Sequence, residues 1–93
     1  MRVKVKLYFP FRRELGEDEL VLTLPKGADV AAAIRELVRV HPQLRDRLYD
    51  PQGRLQRFVS ALVNGTQAQF LRGLATELQD GDELVVLPPV GGG

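Results

Sequence analysis

Leu78-Gln79-Asp80-Gly81-Asp82-Glu83-Leu84-Val85-Val86-Leu87-Pro88-Pro89-Val90-Gly91-Gly92-Gly93 is the stretch that decides how the rest of the chain is read. Asp80-Gly81-Asp82 is a tight-turn signal. Glu83–Leu87 is a short apolar strand, and Pro88-Pro89 stops it because proline brings no N–H to a ladder. Val90-Gly91-Gly92-Gly93 then forms a thin probe, since glycine has no side chain and accepts φ of either sign. Such a segment is expected to thread a narrow channel and to present the Gly93 carboxylate to another protein's active site. Ordinary fraying of a terminus is the competing explanation at this point.

The final strand needs neighbours. Val3, Val5, Leu7 and Phe9 alternate with Arg2, Lys4, Lys6 and Tyr8, the period of a half-buried strand, and Pro10 ends it. Phe11 to Asp18 is polar and suits a hairpin loop. Leu20, Leu22 and Leu24 alternate with Val21 and Thr23 and give a second strand that stops at Pro25. Asp29 is placed to cap a helix. Val30, Ala33, Ile34, Leu37 and Val38 fall on one face of that helix, opposite Arg35, Glu36 and Arg39. His41-Pro42 ends it. Pro42 to Tyr49 suits a second short helix with Leu44 and Leu48 inward. Asp50-Pro51-Gln52-Gly53 is a turn. Phe58 to Val63 reads as a buried strand, Asn64-Gly65 as a turn and Gln67 to Leu71 as a short returning strand. Gly73 to Leu78 suits a turn or brief 3₁₀ segment. The order is β-β-α-(α)-β-β, with the first and last strands side by side. This is an α+β roll, a mixed sheet with one main helix packed across it. The last strand is expected to carry the chain off the sheet edge into solvent.

Composition narrows the function classes. The chain has 93 residues, enough for one domain, with 44% hydrophobic and 27% charged residues. A net charge of +1 argues against a polyanion-binding field, so no nucleic-acid partner is expected. No Cys is present, which removes disulfides, thiol nucleophiles and thiolate metal sites together. No apolar run is long enough to span a bilayer, and the N-terminal alternation is not a signal peptide. A cytoplasmic protein with no membrane partner is the expectation.

The body of the chain lacks the usual constellations of catalysis. One His and no Cys leave no Cys/His chemistry and no ordinary zinc site. His41 suits a surface or capping position. Asp80, Asp82 and Glu83 lack the length and ligand number of a calcium loop and suit a turn leading into a strand. No phosphate-cradling glycine loop occurs. No metal site and no bound cofactor are expected, and no catalytic residue of its own is visible. The reactive group is expected to be the α-carboxylate of Gly93, which needs a partner to activate it.

The ordered set of motifs resembles the MoaD/ThiS family of ubiquitin-like sulfur carriers over its whole length. Val5-Lys6-Leu7-Tyr8-Phe9 followed by Arg13-Glu14-Leu15 resembles that family's first strand and loop, and Val63-Asn64-Gly65 its central turn. Leu78 to Leu84 leading into Leu87-Pro88-Pro89-Val90 is the most specific stretch, and Gly92-Gly93 matches the terminal pair. The resemblance implies a β-grasp domain over residues 1–90 and a flexible tail over 91–93. It implies that a ubiquitin-activating-type enzyme (MoeB/ThiF-like) uses ATP to adenylate Gly93. Sulfur from a persulfide donor then displaces AMP and leaves a thiocarboxylate. Val90, Gly91 and Gly92 would thread the partner's channel; Gly91 stands where the family often has Ala, Ser or Thr. The partner interface implied is Phe9, Gln67, Leu87, Pro88 and Pro89. Phe9 and Leu87 match apolar contact positions, whereas Gln67 departs from one.

Pro88-Pro89-Val90 favours the small subunit of molybdopterin synthase, whose partner is a MoaE-type large subunit and whose substrate is a cyclic pyranopterin. Leu48-Tyr49-Asp50-Pro51, Leu55-Gln56-Arg57-Phe58-Val59 and Gly73-Leu74-Ala75-Thr76 instead resemble the carrier serving cysteine biosynthesis, where sulfur goes to an activated serine derivative. Thiamine-thiazole carriers rank third on length. A ubiquitin-like modifier joined to target lysines through Gly93, and an interaction module with an inert tail, are the readings from other classes.

Overall fold

Alternation in the first strand and the leucine series after it produce a hairpin. The computed structural model describes residues 1–7, 19–56 and 59–87. Arg2–Leu7 forms β1 and Glu19–Thr23 forms β2, antiparallel, with Val3 opposite Leu22 and Val5 opposite Leu20. Val3, Val5 and Leu22 turn inward. Tyr8, Phe9 and the expected loop at 11–18 lie outside the described residues.

Val30–Val40 forms α1. Asp29 caps it from an extended backbone, its Oδ1 accepting from the Ala32 N–H at 2.9 Å. Val30, Ala33, Ile34 and Leu37 form the buried stripe, with Val38 at its margin. Each such aliphatic side chain larger than Ala contributes about 1.5–3 kcal/mol when fully buried. The helix stops at His41, whose N–H reaches the Leu37 carbonyl at 2.9 Å. Pro42 then opens a 3₁₀ turn, Pro42–Leu44, followed by one α-helical turn, α2, Arg45–Leu48. The expected second helix is thus two short pieces, and Leu44 and Leu48 are its fully buried residues.

Two expected strands come out shorter. β3 is Ser60–Val63; Phe58 lies outside the described residues, and the Val59 N–H turns back to the Gln56 carbonyl at 3.2 Å. β4 is only Thr66–Gln67. The chain then curls into 3₁₀ turns at Ala68–Phe70 and Gly73–Ala75. Burial of Ala68 pulls it inward, and the Leu71 N–H folds back on the Ala68 carbonyl at 2.8 Å. β5 is Glu83–Leu87.

The sheet order is β2-β1-β5-β3-β4. β1 and β5 run parallel and every other pair is antiparallel, which makes the sheet mixed. β5 therefore lies inside the sheet, between β1 and β3. Leu84 and Val86 join Val3, Val5, Ile34, Leu37, Leu44 and Leu48 in a core between the sheet and α1. Among the described residues no polar side chain is buried, and no helix is long and apolar enough to cross a membrane.

Candidate functional site

β5 is the element that leads to the tail, so its register determines where the tail departs. Its foot is clamped on both sides. Toward β1, the Gly81 N–H donates to the Arg2 carbonyl at 2.8 Å, the Arg2 N–H to Asp80 Oδ1 at 2.7 Å, and the Lys4 N–H to the Asp82 carbonyl at 2.9 Å. Toward the β3–β4 turn, Asn64 Nδ2 donates to Asp82 Oδ1 and the Glu83 N–H donates to Asn64 Oδ1, each at 2.9 Å. The Gln79 N–H donates to the other Asp82 oxygen at 2.7 Å. These carboxylates are occupied as turn and strand acceptors. Among the described residues no cluster of three or more His, Cys, Asp or Glu is placed to hold a metal.

With the register held, parity sorts the side chains. Leu84 and Val86 point into the core, so Glu83, Val85 and Leu87 lie on the opposite, outer face. Leu87 pairs with Ser60, Val85 with Leu62, and Leu62 with Gln67. Leu87 and Gln67 therefore share one face, about 12 Å apart on ordinary strand spacings. Leu87 is half-buried and Gln67 exposed. Parity places Leu87 off the core, on the outer face of the sheet. The other half of the outer face is charged: Lys4 lies 3.8 Å from Glu19, and Lys6 3.5 Å from Glu83. The face thus carries an apolar row, Leu87, Val85 and Leu62, while Lys4 and Lys6 of β1 form ion pairs with Glu19 of β2 and Glu83 at the start of β5, and Val21 is exposed between Glu19 and Thr23 on β2.

Phe9, Pro88, Pro89, Val90, Gly91, Gly92 and Gly93 lie outside the described residues. Two further residues stand between Leu87 and Gln67 on this face. Val85 and Leu62 continue the apolar row from Leu87 toward Gln67, and counting by twos back from Leu87 would have found Val85. In the sequence Asn64 reads only as a turn former. Its φ of 51° followed by 86° at Gly65 was legible in Asn-Gly, but the bond to Asp82 was not.

A family model described as the ThiS family matches residues 6–93. The sulfur carrier protein CysO of Mycobacterium tuberculosis is 41% identical over 95 residues, covering all of both chains. The small archaeal modifier protein 3 of Haloferax volcanii is 32% identical over 93 residues, again covering both completely. A molybdopterin synthase sulfur carrier subunit of Chlamydomonas reinhardtii is 30% identical over 95 residues with the same full coverage. Among solved structures, the crystal structure of small archaeal modifier protein 1 from Haloferax volcanii superposes with a TM-score of 0.87 at 30% identity, covering 100% of each chain. The Amycolatopsis orientalis BexX/CysO complex gives 0.73 at 34% identity, covering 98% of this chain and 99% of that one.

Proposed function

The chain belongs to the ThiS/MoaD family of ubiquitin-like sulfur carriers, and on that premise we propose that Gly93 is the group that carries the sulfur. The observation that carries this reading is the clamped β5, whose last described residue, Leu87, sits on the apolar outer face directly before Pro-Pro-Val-Gly-Gly-Gly. A rigid strand feeding a slim tail suits a carboxylate that must be inserted into other active sites.

The chemistry proceeds through borrowed machinery. An adenylating enzyme of the MoeB/ThiF type uses ATP to convert the Gly93 carboxylate to an acyl-adenylate with loss of pyrophosphate. A persulfide attacks the acyl carbon and AMP leaves. A thiol then cleaves the acyl disulfide and releases the thiocarboxylate. This protein contributes recognition and reach: Leu87, Val85 and Leu62 for docking, with Phe9, Gln67, Pro88 and Pro89 around them, and Val90 to Gly92 as the threading segment.

For the acceptor, the Pro88-Pro89-Val90 spelling supports a MoaE-type large subunit and dithiolene formation on a pyranopterin. A second reading, sulfur transfer to an activated serine derivative, is supported by the middle of the chain. Leu48 to Val59 and Gly73 to Thr76 carry that likeness, and identity to CysO exceeds identity to the molybdopterin synthase subunit, 41% against 30%. Loaded protein offered separately to each acceptor enzyme with its substrate distinguishes the two.

The primary test is mass spectrometry of the C-terminal peptide after incubation with an adenylating enzyme, ATP and a sulfur donor. The added mass nearly equals that of an oxidised Met1, so the modification must be localised to Gly93. A thiocarboxylate there is the expected result. A plain carboxylate with every activating enzyme tried overturns the reading in favour of an inert interaction module. Conjugates on a denaturing gel that vanish when Gly93 is deleted would redirect it to a protein modifier.

A further inference from the structure

On the helix side of the sheet, away from Leu87, the end of α1 and the segments after it border a shallow, open surface hollow of about 480 Å³. Arg35, Val38, Arg39, Pro42, Arg45 and Tyr49 line it. The spacing follows from the fold. Arg35, Val38 and Arg39 stand on one flank of α1, Pro42 opens the 3₁₀ turn, and α2 returns Arg45 and then Tyr49 to the same side. The far wall is held in place by backbone bonding. The Tyr49 N–H donates to the Arg45 carbonyl at 2.8 Å, and the Asp50 N–H to the Arg54 carbonyl at 2.7 Å. Asp50 Oδ1 accepts from the N–H groups of Gln52 and Arg54, both at 2.9 Å. Gln56 braces this segment, its Nε2 donating to the Asp46 carbonyl at 3.0 Å and to the Tyr49 carbonyl at 3.3 Å.

The charge in this hollow is one-sided. Among the described residues no acidic side chain lines it. Arg39 is engaged by Glu36 through two bonds of 2.7 Å. Among the described residues Arg35 and Arg45 have no ion-pair partner. The negative end of the α1 dipole amounts to about half a charge and does not cancel two free guanidinium groups. Between the charges, Val38, Pro42 and the Tyr49 ring offer an apolar floor. Burial pushes the Tyr49 phenol up from its ordinary value while the Arg35 charge opposes the shift, so the ring meets a ligand in its neutral form at physiological pH.

We propose that this hollow is a docking site for an acidic segment of a protein partner, in which carboxylates reach Arg35 and Arg45 and an apolar side chain between them rests on Val38, Pro42 and Tyr49. Guanidinium groups bind carboxylates as planar forks. A single aromatic ring among the described lining residues and the net charge of +1 argue against a nucleic acid, which needs an extended basic stripe. The site lies across the sheet from Leu87, so a partner can hold the domain here while the C-terminal residues engage elsewhere. The inference does not depend on sulfur chemistry at Gly93.

The test uses the whole protein and a fluorescein-labelled peptide rich in Asp and Glu with one central Leu. Its glutamine-and-asparagine counterpart is the control. Anisotropy should show binding that weakens with salt as exposed charges are screened. Arg35→Glu and Arg45→Glu should each weaken it by about fivefold or more, with Arg72→Glu on the opposite flank changing it by less than about twofold. Amide NMR shifts should concentrate at Arg35, Val38, Arg45 and Tyr49. All three arginines are exposed, so unchanged thermal unfolding separates binding from folding. Equal binding of the uncharged peptide, equal loss with Arg72→Glu, or tighter binding of a short polyuridine RNA at the same residues would each overturn the proposal.

Discussion

Asn64 and Asp82 meet across 18 residues of sequence, with Asn64 Nδ2 donating to Asp82 Oδ1 at 2.9 Å. The bond joins the β3–β4 turn to the foot of β5, and Asn64 Oδ1 completes the clamp by accepting the Glu83 N–H. A slip of one residue here would send Leu84 and Val86 outward and Leu87 into the core, because side chains alternate strictly along a strand.

Asn64→Ala removes both bonds and places a Cβ-bearing residue without local hydrogen bonding at φ 51°. It should cost about 2 kcal/mol, whereas Asn64→Gly keeps the backbone and should cost about 1 kcal/mol. Urea unfolding checks this: the midpoint should fall in that order with an unchanged slope. Equal midpoints for the two variants would mean that the left-handed backbone contributes nothing.

Leu84 and Leu87, three residues apart on β5, should respond oppositely to substitution. Leu84→Ala opens a core cavity and should cost about 2–5 kcal/mol. Leu87→Lys lies on the outer face and should cost less than about 1 kcal/mol, yet weaken binding to the activating enzyme by about tenfold or more. Denaturation paired with a pull-down titration reads both quantities. A Leu87→Lys protein that unfolds like Leu84→Ala would place Leu87 in the core.

Asp29→Ala removes the acceptor for the Ala32 N–H at the start of α1. The expected loss is about 1 kcal/mol, and Asp29→Ser should restore most of it. For a domain of this size that corresponds to a fall in Tm of about 4–8 °C.

Hydrogen bonding from Arg39 holds the Glu36 carboxyl below the usual carboxylate range; desolvation opposes this, and the Arg39 charge adds to it. A depressed folded-state pKa means that the unfolded chain binds the proton first as pH falls. The pair's contribution is therefore full above the ordinary Glu value and disappears as pH falls through the folded-state value. Arg39→Ala should lower Tm at neutral pH, and the gap to the parent protein should close on acidification. A gap that widens toward acid pH would contradict the pairing.

One residue added after Gly93 should abolish thiocarboxylate formation while leaving Tm unchanged, since the reactive carboxylate moves but the domain does not. Loading of the extended protein at the parent rate would remove Gly93 from the mechanism.

Local rules made much of this protein legible in one dimension. Period two in Val3-Lys4-Val5 and in Leu20 to Leu24 set out the hairpin. The Val30, Ile34 and Leu37 stripe behind Asp29 set out α1, and Asn64-Gly65 its positive-φ turn. The Pro-Pro-Val-Gly-Gly-Gly ending is a feature of the sequence alone and lies outside the described residues. These are properties of neighbouring residues, where sterics and spacing decide the conformation. The returning strand expected over Gln67 to Leu71 failed where distant packing intervened: β4 stops at Gln67 because Ala68 is drawn into the core. Long-range pairing alone brought Val85 and Leu62 into line between Leu87 and Gln67, and Asn64 onto Asp82. It also folded Arg45 and Tyr49 back beside Arg35. The sequence determined the elements; the tertiary structure decided which residues share a face, because contacts between strands and between helices depend on register and on loops that no local pattern encodes.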